Sequence, residues 1–135
     1  MTVRLIGATT KKALTVVVAA AACAGLSSAP AVADTAVTCP LPDCRPGVAQ
    51  FKSYGDKFTI RDYKADGKGI WISWEITEGG RYLSGGNYNH RAGAGSEYTL
   101  NKNFPEKKYL SLMVCLSDNG KKLPSTCGYE TSSLT

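Results

Sequence analysis

The sequence predicts an all-β fold, a small immunoglobulin-like β-sandwich with a disulfide-stapled N-terminal arm. Three observations lead there. Ile70 to Thr77 alternates strictly: Ile70, Ile72, Trp74 and Ile76 on one side, Trp71, Ser73, Glu75 and Thr77 on the other. Period two with β-branched and aromatic residues is the mark of a half-buried strand. Further short runs of this kind, separated by Gly, Asn and Asp turn signals, fill the chain from Val48 onward. No stretch there repeats with the 3.6-residue period of an amphipathic helix, so the layers have to be sheets. Trp74 is expected in the core, and a small barrel is the alternative architecture.

The elements follow in chain order. Residues 1–33 read as a signal peptide: a basic start with Arg4, Lys11 and Lys12, an apolar run from Ala13 to Leu26, and the A-x-A site Ala31-Val32-Ala33. The run is shorter than the roughly 20 apolar residues of a membrane span. Cys23 could instead be an acylated lipoprotein cysteine, but Ala20 stands where a lipobox has Leu. Cleavage before Asp34 leaves 102 of the 135 residues, one small domain. Three of the 16 basic residues and none of the 11 acidic ones leave with the leader, so the net charge falls from +5 to +2. The pI near 9.0 therefore overstates the basicity of the working domain. At +2 with mixed signs, neither nucleic acid nor an anionic membrane is expected as a partner.

Residues 34–47 carry Pro40, Pro42 and Pro46, which forbid a helix or a central strand. This segment reads as an arm with too few apolar residues to join the core. Val48 to Tyr54 and Lys57 to Tyr63 are strands, the second with Phe58, Ile60 and Asp62 on one face. Asp66-Gly67 signals a hairpin turn. After the Ile70 strand, Glu78-Gly79-Gly80 turns the chain into a short strand, Arg81 to Leu83. Ser84 to Ser96, with Gly85, Gly86, Gly93 and Gly95, reads as a long loop or irregular edge. Glu97 to Leu100 resumes a strand. Tyr109 to Ser117 is apolar on both sides and therefore central in its sheet. Asp118-Asn119-Gly120-Lys121 is a type I′ hairpin signal, and a short strand near Cys127 to Thr131 closes the domain.

Four cysteines follow the leader: Cys39, Cys44, Cys115 and Cys127. In an exported chain they read as two disulfides with three possible connectivities, and sequence proximity suggests 39–44 with 115–127. Zinc is a poor alternative, because C-x4-C and C-x11-C lack the usual tight pair and the chain has a single histidine.

Catalytic chemistry finds little to work with. His90 lies in the Gly-rich segment with no nucleophile-elbow motif near it and reads as an exposed loop histidine. Oxidised cysteines supply no thiolate. Glu75 and Glu78 are an odd number of steps apart, so a strand places them on opposite faces. Asp62, Asp66 and Gly67 lack calcium-loop spacing, and Gly93-Ala94-Gly95 lacks the strand-to-helix context of a phosphate cradle. Aromatic residues carry more information: Trp71 on the polar side of its strand, with Tyr54, Tyr63, Tyr82 and Tyr88 near turns, are of the type enriched at interfaces and sugar platforms.

Gly55 to Lys68 (G-D-K-F-T-I-R-D-Y-K-A-D-G-K), with Trp74, Cys115 and Ser125-Thr126-Cys127, resembles a pattern in small secreted proteins of Streptomyces-type actinobacteria. The likeness spans roughly Phe51 to Tyr129. One group of this appearance is the adaptor subunit of secreted antibacterial umbrella toxin particles. The resemblance implies a non-catalytic bridge between a lectin-like subunit and the stalk of a large toxin polypeptide, with residues 34–47 as the N-terminal extension.

The functional expectation is a secreted, extracellular, non-enzymatic protein-binding module that needs no cofactor or metal. Its expected contact residues are Pro40, Leu41, Pro42 and Asp43 in the Cys39–Cys44 ring, and Trp71. The ring could equally enter the cleft of a protease or glycosidase as an inhibitor, since preorganisation lowers the entropy cost of binding. A carbohydrate-binding module built on Trp71 and the tyrosines is the third reading.

Overall fold

The computed structural model describes residues 35–134; the leader reading of residues 1–33 lies outside them. Nine strands build two antiparallel sheets: β1 (Thr35–Thr38), β2 (Gly47–Lys52), β3 (Lys57–Asp62), β4 (Gly69–Glu78), β5 (Arg81–His90), β6 (Glu97–Asn101), β7 (Tyr109–Asp118), β8 (Lys121–Lys122) and β9 (Gly128–Ser133). One sheet has the order β1-β2-β3-β6. The other runs β5-β4-β7, with β8 and β9 both pairing the far side of β7. The β-sandwich expected from the sequence is present, with β7 central as its two apolar faces require.

The core lies between the sheets. Phe51, Phe58 and Ile60 from the first sheet meet Ile70, Ile72, Trp74, Ile76, Leu110, Leu112 and Val114 from the second. These are the inward positions of each strand, so the period-two pattern is read out directly. Phe58 packs on Trp74 with ring centroids 4.9 Å apart and on Phe51 at the same distance. Phe104 closes the cluster from the 102–108 connection, held there by its backbone N–H donating to Asp56 Oδ2 at 2.7 Å.

Three expectations need correction. Of the segment 34–47, read as an arm outside the core, Thr35–Thr38 is instead an edge strand paired with β2, and Ala36 is fully buried. The prolines begin only after this strand, so they do not interrupt it. The loop alternative for Ser84 to Ser96 also fails over residues 84–90, where the irregular-edge alternative holds: β5 continues to His90 as the edge strand beside β4, with a register shift at Ile76/Thr77. Its glycines are there for close approach: a Cβ on Gly86 would sit 2.5 Å from Cζ2 of Trp74, so the indole occupies the space a side chain would take. Asp66-Gly67 does not make a hairpin. The 63–68 connection crosses from β3 in one sheet to β4 in the other, with Asp66 Oδ1 accepting the Lys68 N–H at 3.0 Å.

The 118–121 turn has the expected form, with positive φ at both Asn119 and Gly120. Beyond β8 the chain makes a 3₁₀ turn, Pro124–Thr126, before rejoining β7 as β9. Thr126 bridges this gap in the ladder: its Oγ1 accepts the Leu116 N–H at 2.9 Å and donates to the Leu123 carbonyl at 2.7 Å. The register then places Cys127 beside Cys115. Both disulfides form as sequence proximity suggests, Cys39–Cys44 and Cys115–Cys127. No helix among the described residues is long and apolar enough to cross a membrane.

Candidate partner-binding surface

Strand directions bring four segments to one end of the sandwich: the Cys39–Cys44 ring, the 63–68 crossover, the 91–96 connection and the 118–127 excursion. The ring is docked rather than dangling. Leu41 N–H donates to the Thr126 carbonyl at 2.8 Å, and Tyr63 N–H donates to the Pro46 carbonyl at 2.9 Å. The Cys39 carbonyl lies against Gly128, where a Cβ would approach it to 2.1 Å. Only glycine allows that seat.

The five expected contact residues separate. Pro40 is fully buried, so it wedges the ring onto the domain and offers no contact surface. Leu41 is 50% exposed, a large apolar side chain held in water. Pro42, also exposed, follows across a cis peptide. Asp43 is half-buried and grips Arg45: its carboxylate accepts the backbone N–H at 3.0 Å, Nε at 2.9 Å and Nη2 at 2.7 Å. The Arg45 side-chain hydrogen bonds, followed by its backbone one, hold the Asp43 carboxyl below the usual carboxylate range. Asp43 and Arg45 thus brace the end of the ring from its exposed side.

Trp71 stands apart from the ring, on the outer face of β4. It is half-buried and donates its indole N–H to Ser73 Oγ at 3.0 Å. In register it faces Cys115, so it lies beside the buried Cys115–Cys127 bridge. Ser73, Glu75, Ser111, Met113 and Tyr129 line a small hollow of about 150 Å³ further along the same face. Tyr54, Tyr63 and Tyr82 are exposed as expected, whereas Tyr88 is half-buried and stacked on Tyr98 with centroids 4.7 Å apart.

His90 is not an exposed loop residue: it ends β5 and is buried. Its Nε2 lies 2.7 Å from Ser96 Oγ, and Ser96 Oγ also donates to the Gly93 carbonyl. A hydroxyl has one proton, and the carbonyl can only accept it. With that proton directed to the carbonyl, a protonated Nε2 is the tautomer that suits the contact with Ser96. The pair fastens the 91–96 connection to the end of β5. Asp62, at the end of β3, is also buried; Oδ1 accepts the Lys64 N–H at 3.1 Å and Oδ2 has no partner among the described residues.

Sequence reasoning did not single out Lys64, Lys68 and Arg91. Together with Gly69, Ser117 and Asn119 they line a hollow of about 450 Å³ at the same end of the sandwich. A second hollow, of about 410 Å³, lies between Leu41, Pro42, Leu116 and Thr126 and shares Lys64 and Lys68 as walls with the first. Lys64 and Lys68 share the 63–68 crossover, and the β5–β6 connection brings Arg91 to them from 23 residues further along the chain. Comparison with protein-family models, curated proteins and solved structures yields no match.

Proposed function

We propose that this protein is a secreted, non-catalytic protein-binding module that engages its partner through the Cys39–Cys44 ring. The observation that carries the reading is Leu41: a large apolar side chain half in water, on a covalently closed ring fixed to the domain by Pro40, Thr126 and Gly128. A rigid apolar anchor loses little conformational entropy on docking, which is how preorganised loops gain affinity. The adaptor role between lectin-like and stalk subunits of a toxin particle is the specific form of this proposal, supported by the sequence resemblance and by the position of the ring near the N-terminal edge strand. Two intramolecular disulfides support an oxidising, extracellular setting.

Inhibition of a protease or glycosidase would use the same ring, so the partner's identity separates the two. Tagged protein captured from the supernatant of its own producing culture, followed by mass spectrometry, is the test. Large secreted chains that co-purify with the native protein and are lost with Leu41→Asp support the adaptor. A lone hydrolase lost with the same variant supports the inhibitor. Capture that survives Leu41→Asp rejects the ring as the site.

A further inference from the structure

Resting on that reading, we propose that the hollow between Lys64, Lys68 and Arg91 receives an acidic side chain of the protein that takes Leu41, so that the partner surface pairs an apolar socket with one or more carboxylates. The cations are gathered from two connections and face one cavity of about 450 Å³ whose lining contains no carboxylate. Three of the ion pairs among the described residues lie outside this lining: Arg45 with Asp43, Arg61 with Glu97 and Lys108 with Glu78. Lys68 and Arg91 enter no ion pair among the described residues, and Lys64 meets Asp66 only at 3.6 Å. Asp66 is engaged further by the Lys68 backbone N–H, and Asp43 adds a longer-range attraction to Lys64, which leaves two carboxylates near three cations. Asp62 is buried and Asp118 does not line the hollow.

The hollow also has the shape such a ligand needs. Its walls include Gly67, Gly69, Gly93, Ala65 and Ala94, short residues that leave room at the centre. The Arg91 guanidinium lies over the 118–121 turn, with Nη1 3.5 Å from the position of a Cβ on Gly120. An arginine and two lysines lining one hollow suit a carboxylate, which can accept two parallel N–H bonds from a guanidinium. The shared walls at Lys64 and Lys68 set this hollow beside the one next to Leu41, so a single partner segment can reach both.

The test is a titration of isotope-labelled protein with a capped hexaglutamate peptide, and separately with inorganic phosphate, followed by amide chemical shifts. The expected result is saturable shifts at residues 64–69, 91–95 and 117–119, lost in about 0.3 M salt, where charges are screened beyond a few ångströms. Lys68→Glu with Arg91→Glu should weaken peptide binding about ten-fold or more, whereas Lys52→Glu with Lys57→Glu, exposed at the opposite end of β2 and β3, should leave it unchanged. Absent shifts, shifts spread evenly over the surface lysines, or phosphate binding as tightly as the peptide would overturn the proposal. Partner capture lost with Leu41→Asp but intact in Lys68→Glu with Arg91→Glu would also overturn it while leaving the ring as the site.

Discussion

Leu41 and Pro40 differ by one position and have opposite tasks. Pro40 is buried and seats the ring, while Leu41 is half exposed and free to contact a partner. The sequence puts both in one Pro-Leu-Pro group and cannot divide them, because the division depends on which side of the ring faces Thr126. Asp43 adds a second residue-level constraint. Its carboxyl is held low chiefly by the Arg45 side-chain hydrogen bonds, so the Asp43–Arg45 contact is fully formed above its ordinary value of 3.8 and is lost only as pH falls through a lower one. A carboxyl-carbon NMR titration should therefore give Asp43 a midpoint below 3.8, and Arg45→Ala should move it back up. In the core, Trp74 is 5% exposed and touches Phe58 and Phe104. Trp74→Ala should cost about 3–5 kcal/mol, measured by denaturant unfolding.

At the scale of elements, β4 and β7 were legible because alternation and a two-sided apolar run survive any local detail. β5 was legible only in part, as the short strand Arg81 to Leu83 and an irregular edge, since Gly85 and Gly86 look like loop residues until the Trp74 carbonyl is seen against the first and its indole against the second. β1 was obscured by the prolines that follow it, although Ala36 and Val37 stand before the first of them. Deleting residues 34–47 would remove an edge strand that contributes Ala36 to the core, so it should destabilise the domain as well as remove the ring. The two disulfides should also differ. Cys115–Cys127 ties β9 to the central strand, and a loop of its size contributes about 3 kcal/mol in the chain-entropy model. Replacing that pair by alanine should lower Tm by about 12 °C or more in a domain of this size, well beyond the loss on replacing Cys39 and Cys44; equal losses in a thermal scan would contradict this. Gly128→Ala should act on the ring from below, since its Cβ would collide with the Cys39 carbonyl at 2.1 Å. Partner affinity should fall in this variant even though residue 128 makes no contact in the proposed interface.

For the molecule as a whole, the two-sheet sandwich follows from local pattern, whereas the candidate surface is a product of topology. The crossover from β3 to β4, the return from β5 to β6 and the excursion between β8 and β9 all end on the side where the ring is stapled. No single stretch of sequence reveals that convergence, so Lys64, Lys68 and Arg91 read as scattered surface charge and His90 as a loop residue until the strands are paired. The same topology keeps Trp71 on a different face, which separates the ring-based readings from the carbohydrate-module reading. One measurement tests the ring directly: the affinity of the captured partner for Leu41→Asp and for Trp71→Ala, each compared with the native protein and each checked for native circular dichroism. Leu41→Asp should bind at least about thirty-fold more weakly, the loss of a hot-spot side chain worth about 2 kcal/mol, and Trp71→Ala should bind as the native protein does. Full affinity in Leu41→Asp with loss in Trp71→Ala would place the site on the outer face of β4 and contradict the account.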